Sequence, residues 1–506
     1  MVEESKNLEG VIENKFEKIK SWLKDPYNLA IVGIVIFAFA LRLYYFFITK
    51  NQTLWWDEAE YLATAKHWAF GVPYDLNPQR PPLFQLLGAV TFLFGLGETF
   101  VKFAWVLLPS VFLVFVVYLL GKEMFSKKVG LIASFLTAVS WTFLFWTARV
   151  QPDFFSMGFQ VLSVLFMWKY WKNDKSKYIV FAGIFAALGF YFKISALLVP
   201  MSFIIFILIK DRLSAFKNKN YYYFSLVYLA TLVPYFIWSY ITFGTFTAFK
   251  AGTSNQIIAH VPFGWYNLNF FYTLTEGILF VLFLIGLLLA FRFVLYADIL
   301  VKDKKKCFDS GLFSIIVLMV VAAFYIFYIR GTEDRWVFLW LPFIFMLIGN
   351  ALMSVYNFGK KYSKIISAFL VIALLIWGGY AQLSHANDII TNKKDSYSQV
   401  KDAALWIKEH SAPGDKVLSI SSTQTVYYSE RKVLPYSAIK NASDFDSYIK
   451  ENKPRFLMIS IFENHPTWAY TWPNGNNSRA VQAYFSDSDK KQPVLIIYEI
   501  NYNETN

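Results

Sequence analysis

Residues 83–97, LFQLLGAVTFLFGLG, decide how this chain is threaded. They have the composition of a membrane segment, yet the run stops short of the roughly 20 residues that a helix needs to cross hydrocarbon. Counted as a crossing, they would put Lys122, Lys127 and Lys128 on the opposite side of the membrane from every other lysine-rich cluster. Counted as an interfacial helix, they leave all the clusters on one side, as the positive-inside rule requires. The stretch is therefore read as lying along the membrane, paired with a second juxtamembrane helix at Glu58–Phe70, where Tyr61, Ala65, Trp68 and Ala69 repeat at helical spacing.

Outward from there, apolar runs recur from Leu29 to about Ser384, each of the length of a membrane crossing. The 506 residues are 56% hydrophobic, 20% aromatic and 16% charged, against about 25% charged in a soluble domain. Spans are expected near 29–49, 99–121, 129–148, 154–171, 178–193, 195–209, 222–243, 276–297, 312–329, 336–353 and 364–384, about eleven in all. Runs of that length exclude an outer-membrane barrel.

With that count the clusters Lys15/Lys18/Lys20/Lys24, Lys122/Lys127/Lys128, Lys172/Lys175/Lys177, Lys210/Arg212/Lys217/Lys219, Lys302/Lys304/Lys305/Lys306 and Lys360/Lys361/Lys364 share one face. That face is the cytoplasm. The net charge of +13 resides in these clusters, so a membrane explains it and nucleic acid is not expected as a partner. Cys307 is the only cysteine, which excludes a disulfide framework and a CxxC metal site. The first apolar run is too long for a signal-peptide core and reads as a signal anchor.

The fold class that follows is mostly α, a polytopic membrane helical bundle with juxtamembrane helices in its first outer loop and a small C-terminal α/β domain. Residues 1–28 form a cytoplasmic segment and residues 29–384 the transmembrane region, with outer loop 50–98. Residues 385–506 form an extracytoplasmic domain. In it, helices are expected at Tyr397–His410 and Ala442–Asn452, and strands at Lys416–Ile420, Arg455–Ile461 and Pro493–Ile500. The protein is thus expected in the cell membrane with a cytoplasmic N-terminus. The sequons at Asn51, Asn441, Asn476 and Asn503 agree with an outward location, although the pattern is common by chance.

The first outer loop opens with Trp55-Trp56-Asp57-Glu58 and continues to Arg80-Pro81-Pro82-Leu83. Adjacent acids beside tryptophans at a membrane surface could cap the helix that follows, a role worth about 1 kcal/mol. They could equally take a proton from an acceptor hydroxyl. Asp153, in Arg149-Val150-Gln151-Pro152-Asp153, sits at the next outer turn. Lys193 is wedged between two apolar spans, and Asp334-Arg335 opens a later one. Each cation alone could snorkel or pair with a carboxylate, but together Arg80, Arg149, Lys193 and Arg335 suit the phosphate of a lipid. Arg42, inside the first span, is expected to snorkel outward. His260 lies in the outer loop after Gly244, without HxxxH or HxxE spacing for a metal.

On these residues, in this order and topology, the chain resembles the membrane-embedded glycosyltransferases of the GT-C superfamily that use polyprenyl-phosphate sugars, among them protein O-mannosyltransferases and the bacterial aminoarabinose transferases acting on lipid A. The resemblance spans roughly residues 25–385. It implies that Asp57 is the catalytic carboxylate with Glu58 beside it, that Asp153 is the acid of the second outer turn, that Arg80 is the basic residue before the paired prolines, and that Lys193 and Arg335 contact the lipid phosphate; the residue reading adds Arg80 and Arg149 to that phosphate grip. Aminoarabinose transferases place a metal-binding glutamate before the basic residue, where this chain has Gln79. That weakens the implied divalent metal at His260. No long module follows the fourth outer loop, so a protein acceptor is not specifically implied.

The expected reaction is transfer of a sugar from a polyprenyl monophosphate to a hydroxyl of a lipid, glycan or protein acceptor at the outer face. It is expected to proceed by inverting single displacement, with Asp57 as general base. No nucleotide motif is present. Two other readings remain. An oligosaccharyltransferase is suggested by the tryptophan pair before Asp57. A lipid-linked sugar flippase would place ionisable residues near mid-bilayer, or show paired broken helices across repeats.

Overall fold

The computed structural model describes Glu17 and residues 20–250, 269–296, 305–330, 333–475, 478–486 and 491–502. The chain is a polytopic helical membrane protein. Helix α1 (Pro26–Thr49) starts on Asp25, whose side chain accepts the Tyr27 N–H at 2.9 Å. Two shorter helices follow in the loop after α1, α2 (Trp56–Phe70) and α3 (Leu83–Leu93). Gly71 ends α2 at φ +73°, a conformation that other residues adopt only with strain. The eleven residues of α3 are too few to cross, as the charge pattern required.

Helix α4 (Glu98–Lys102) passes through a π turn at Phe103–Leu107 into α5 (Leu108–Met124), and α6 (Lys127–Val139) and α7 (Trp141–Thr147) follow. The bundle continues with α8 (Asp153–Asn173), α9 (Ser176–Phe192), α10 (Leu198–Asp211), α11 (Lys219–Phe243), α12 (Asn269–Thr275), α13 (Gly277–Tyr296), α14 (Lys305–Ala323), α15 (Trp340–Gly359) and α16 (Lys364–Lys393). Helix thus occupies all eleven expected span positions, but among the described residues only seven stretches cross a membrane on length and composition alone. The bent pair of α6 and α7 makes an eighth. The apolar parts of α9 and α13 are shorter, and α8 carries Asp153, Gln160, Lys169 and Lys172 along its 21 residues.

The bend between α6 and α7 is 50° at Ser140. It frees carbonyls that hydrocarbon cannot hydrate, and Arg42 satisfies them. Its guanidinium donates to Ala138 O at 3.0 Å, Thr137 O at 3.2 Å and Ser110 Oγ at 2.9 Å. Gln382 accepts the Trp141 N–H on the far side of the break, at 3.0 Å. The expectation that Arg42 snorkels is therefore corrected. It is fully buried because it closes a broken helix, a partner that sequence does not show. Nearby, α5 and α6 cross closely enough that a Cβ on Gly121 would come within 2.8 Å of Gly130 Cα, a small-residue contact of the membrane type.

The last membrane helix runs on to Lys393 and leads into α17 (Ser398–Glu409), β1 (Lys416–Leu418), α18 (Ser422–Ser429), β2 (Lys432–Leu434), α19 (Ala442–Asn452), β3 (Phe456–Ser460), α20 (Trp472–Gly475), β4 (Ser478–Phe485) and β5 (Pro493–Ile500). The sheet order is β2-β1-β3-β5-β4, with β1 parallel to β2 and β3, and β5 antiparallel to β3 and β4. Strands β2 and β4 were not expected from sequence. β2 has three residues, too few to show alternation, and β4 is half-exposed along its length.

This domain docks through α18 and its flanks on the loop that carries α2 and α3. The Leu54 N–H donates to Tyr428 Oη at 3.0 Å, Lys66 Nζ pairs with Glu430 at 2.7 Å, and Lys401 reaches Glu98 at 3.2 Å. Tyr427 and Tyr428 join the same apolar cluster as Leu62 and Phe92 of the juxtamembrane helices.

Candidate active site

Helix α2 is set by Glu58, whose carboxylate accepts the Trp55 N–H at 3.0 Å and so caps the helix. With Glu58 turned to that task, Asp57 in the same first turn faces a cavity of about 310 Å³. The cavity is also lined by Tyr61, Arg80, Asp153, Lys193 and Arg335, against an apolar wall that includes Phe192, Phe249, Tyr325 and Trp336.

Four chain segments bring the polar groups together. Arg80 comes from the loop ahead of α3, held by the two prolines that follow it. Asp153 opens α8 after Pro152, and Lys193 ends α9 in extended backbone. Arg335 lies on a short 3₁₀ turn, Asp334–Val337, before α15. Its neighbour Asp334 accepts the Trp146 Nε1–H at 2.9 Å, fixing that turn to α7.

Asp57 is held by two guanidinium groups. Arg80 Nη2 donates to its Oδ1 at 2.6 Å and Arg335 Nη2 donates to its Oδ2. Burial alone would raise this carboxyl, but the attraction of Arg80 and then Arg335, with their hydrogen bonds, outweighs it and holds the pKa down to about 2. Lys193 Nζ pairs with Asp153 Oδ1. Arg335 also meets Glu333 at 2.8 Å. Burial pushes Glu333 above the ordinary carboxylate range, against the opposing pull of Arg335.

Two contributors were missed in the sequence. Glu60 accepts from Arg80 Nε at 2.7 Å and from Asn77 Nδ2 at 2.6 Å, which orients the guanidinium. Tyr61 Oη accepts from Arg80 Nη1 at 3.2 Å, and burial, opposed by Arg80, pushes the phenol up to about 12. A signal did exist. Positions 57, 60 and 61 are i, i+3 and i+4 on one helix, and so share a face.

Of the residues expected at the site, the structure therefore gathers Asp57, Arg80, Asp153, Lys193 and Arg335. Glu58 and Arg149, expected in catalysis and at the lipid phosphate, do not line this cavity and instead pair with each other. Arg149 Nε donates to Glu58 Oε1 at 2.6 Å, and the two side chains are 1% and 2% exposed. The Arg149 guanidinium stacks 3.7 Å from the Trp55 ring. His260 lies outside the described residues. Among the described residues no three of His, Cys, Asp and Glu come together to hold a metal. Asp57, Glu60 and Asp153 are each engaged by an arginine or lysine, so this donor set does not fit a divalent ion.

Comparison with known proteins bears on this geometry. Residues 79–238 match the family model of dolichyl-phosphate-mannose-protein mannosyltransferases. No curated protein matches in sequence. In structure the chain is similar to ArnT from Cupriavidus metallidurans bound to undecaprenyl phosphate, with a TM-score of 0.68, 13% identity, and 93% of this chain and 98% of that chain covered. It is also similar to the archaeal oligosaccharyltransferase AglB from Archaeoglobus fulgidus, with a TM-score of 0.61, 14% identity, and 87% and 70% covered. Against the arabinofuranosyltransferase AftD from Mycobacteria the TM-score is 0.54 at 12% identity, with 93% of this chain and 40% of that one covered. The chain thus has the fold of the membrane-embedded glycosyltransferases ArnT and AglB, and over residues 79–238 its sequence is similar to dolichyl-phosphate-mannose-protein mannosyltransferases.

Proposed function

We propose that this protein transfers a sugar from a polyprenyl monophosphate to a hydroxyl of a lipid, glycan or protein acceptor at the outer membrane face. The observation that carries the reading is the convergence of Arg80, Lys193 and Arg335 on one cavity with Asp57 among them. The N-terminus would then face the cytoplasm and the C-terminal domain the outside, with membrane lipids around the bundle. The undecaprenyl phosphate bound by the similar ArnT protein supports a carrier of that class here. The apolar wall of the cavity suits the first units of a prenyl chain.

In the reaction, the acceptor oxygen bonds to the anomeric carbon as its proton passes to Asp57. The bond from that carbon to the phosphate oxygen breaks, and its electron pair leaves with the phosphate. Arg80, Arg335 and Lys193 stabilise the charge that develops there. A carboxylate with a pKa of about 2 is a weak base. The donor phosphate supplies the remedy, because it competes for the same guanidinium groups. As they turn toward it, Asp57 loses the partners that depress it and regains basicity. The chemistry uses protein groups alone, and no step is assigned to a metal.

Two observations weigh against the other readings. Arg42, buried within the first span, has its guanidinium spent on hydrogen bonds that tie helices together, which favours an enzyme over a flippase. The tryptophan motif of oligosaccharyltransferases lies in their soluble domain, whereas this tryptophan pair heads a juxtamembrane helix.

Replacing Asp57 with asparagine should lower transfer by about 10²- to 10⁴-fold, with thermal unfolding in detergent close to wild type. It is measured as polyprenyl phosphate released from a polyprenyl-phosphate sugar. Undiminished turnover would remove Asp57 from the mechanism.

A further inference from the structure

The three parallel strands of the C-terminal domain end in one place. β1 lies between β2 and β3, so the chain leaves β1 for β2 through α18 and crosses back to β3 through α19. The crevice beyond the ends of β1 and β3 is a topological switch point, where open α/β sheets bind their ligands. All three strand ends contribute polar groups to it. Ser421 follows β1, Tyr436 follows β2, and Ser460 ends β3 with Glu463 and His465 just beyond.

Glu463 bridges this crevice. It accepts from Ser421 Oγ on one carboxylate oxygen and from Ser460 Oγ, at 2.5 Å, on the other. His465 Nε2 accepts the Ser460 N–H at 3.3 Å, and its Nδ1 meets Tyr436 Oη at 2.8 Å. An imidazole that accepts a backbone N–H is neutral. Among the described residues no ion pair reaches Glu463, so its charge is held by hydroxyl groups alone.

This edge abuts the catalytic end of α2. Thr423, two residues after Ser421, donates from Oγ1 to the Trp56 carbonyl at 3.2 Å. Trp56 immediately precedes Asp57 and is 43% exposed, whereas its neighbour Trp55 is packed under Arg149. Tyr470, 49% exposed, meets the His465 ring edge-on at 5.5 Å. Trp56 thus presents a large exposed ring immediately before the proton-accepting acid, and Thr423 ties its backbone to the strand-end edge that carries Glu463.

We propose that this edge and Trp56 hold the acceptor, and that the acceptor is a neutral carbohydrate; the proposal rests on the transferase reading above. Sugar hydroxyls can donate to the remaining lone pairs of Glu463, which the buried Ser421 and Ser460 hydroxyls hold in place, and the electron-rich face of an indole suits the C–H face of a pyranose. An anionic acceptor would meet an uncompensated carboxylate.

The test is saturation-transfer NMR on the full chain in detergent, with methyl glycosides of mannose, glucose and galactose as probes. At least one glycoside should bind, and Glu463→Gln and Trp56→Ala should each raise its Kd by about tenfold or more, as expected for loss of a charged hydrogen-bond acceptor or a stacking face. Thermal unfolding checks that both variants are folded, and each serves as a control on the other. Absence of glycoside binding, equal binding by wild type and both variants, or preferential binding of a threonine-containing peptide or a phosphorylated glycoside would each overturn the proposal. The readout does not depend on turnover. A wild-type chain that bound glycosides in this way but released no polyprenyl phosphate would refute the transferase reading and leave this site standing.

Discussion

Two carboxylates adjacent in sequence meet different partners here because a helix turns about 100° between them. Glu58 meets Trp55 and Arg149, and Asp57 meets Arg80 and Arg335. With its pKa held to about 2 while Arg80 and Arg335 face it, Asp57 is ionised in the donor-free protein across the usual assay range. It should therefore contribute no acid limb to kcat/KM for the donor above about pH 4. Glu333, Asp334 and Glu58, all raised by burial, are the groups that would bind a proton as pH falls, and of these only Glu333 pairs with Arg335 of the cavity. Any limb found at higher pH should move or vanish in Glu333→Gln or Asp334→Asn, and a limb unchanged in both variants would contradict this charge arrangement. Glu60 is a positioning residue. Glu60→Ala leaves Arg80 without its Nε acceptor, and a misplaced guanidinium should lower kcat/KM for the donor by about 10²-fold. Glu60→Asp should recover part of that loss, which a general folding defect would not.

At the scale of elements, the first and second outer turns are joined through one buried pair. Glu58 from α2 and Arg149 from the turn after α7 are both desolvated, so removing either leaves a buried charge unpaired. Glu58→Leu alone should destabilise the protein by about 3–5 kcal/mol, whereas Glu58→Leu with Arg149→Leu should recover most of the loss. Thermal unfolding of the two variants decides this. A double variant that stayed folded but lost all donor binding would return Arg149 to the phosphate site. The same scale accounts for Arg42. A broken helix in hydrocarbon needs donors for its freed carbonyls, and one guanidinium supplies several.

At the scale of the whole molecule, the threading can be tested with the single native cysteine. Cys307 falls in a lysine-rich connection assigned to the cytoplasm. A membrane-impermeant maleimide should label it only after cells are permeabilised. In a Cys307→Ser background, Ser443→Cys on the exposed side of α19 should be labelled in intact cells. The reverse pattern would invert the topology and place the catalytic loop inside. The docking of the C-terminal domain, through Tyr428, Lys66 and Lys401, means that the outer loop and this domain form one surface.

By itself the sequence determined the membrane class, the positions of the helical spans, the two juxtamembrane helices and the segments that carry Asp57, Arg80, Asp153, Lys193 and Arg335. Those features depend on run length, charge asymmetry and local spacing, all of which are linear along the chain. Only the tertiary structure decided which charges meet. Glu58 and Arg149 are as acidic and as basic as the residues of the cavity, and their removal from it follows from the angle of α2 against the turn after α7. Glu60 was hidden because a helical face becomes meaningful only once Arg80 is known to lie across it. The convergence of Ser421, Tyr436, Ser460 and Glu463 required the strand order, because residues far apart in sequence become neighbours when β1 pairs between β2 and β3.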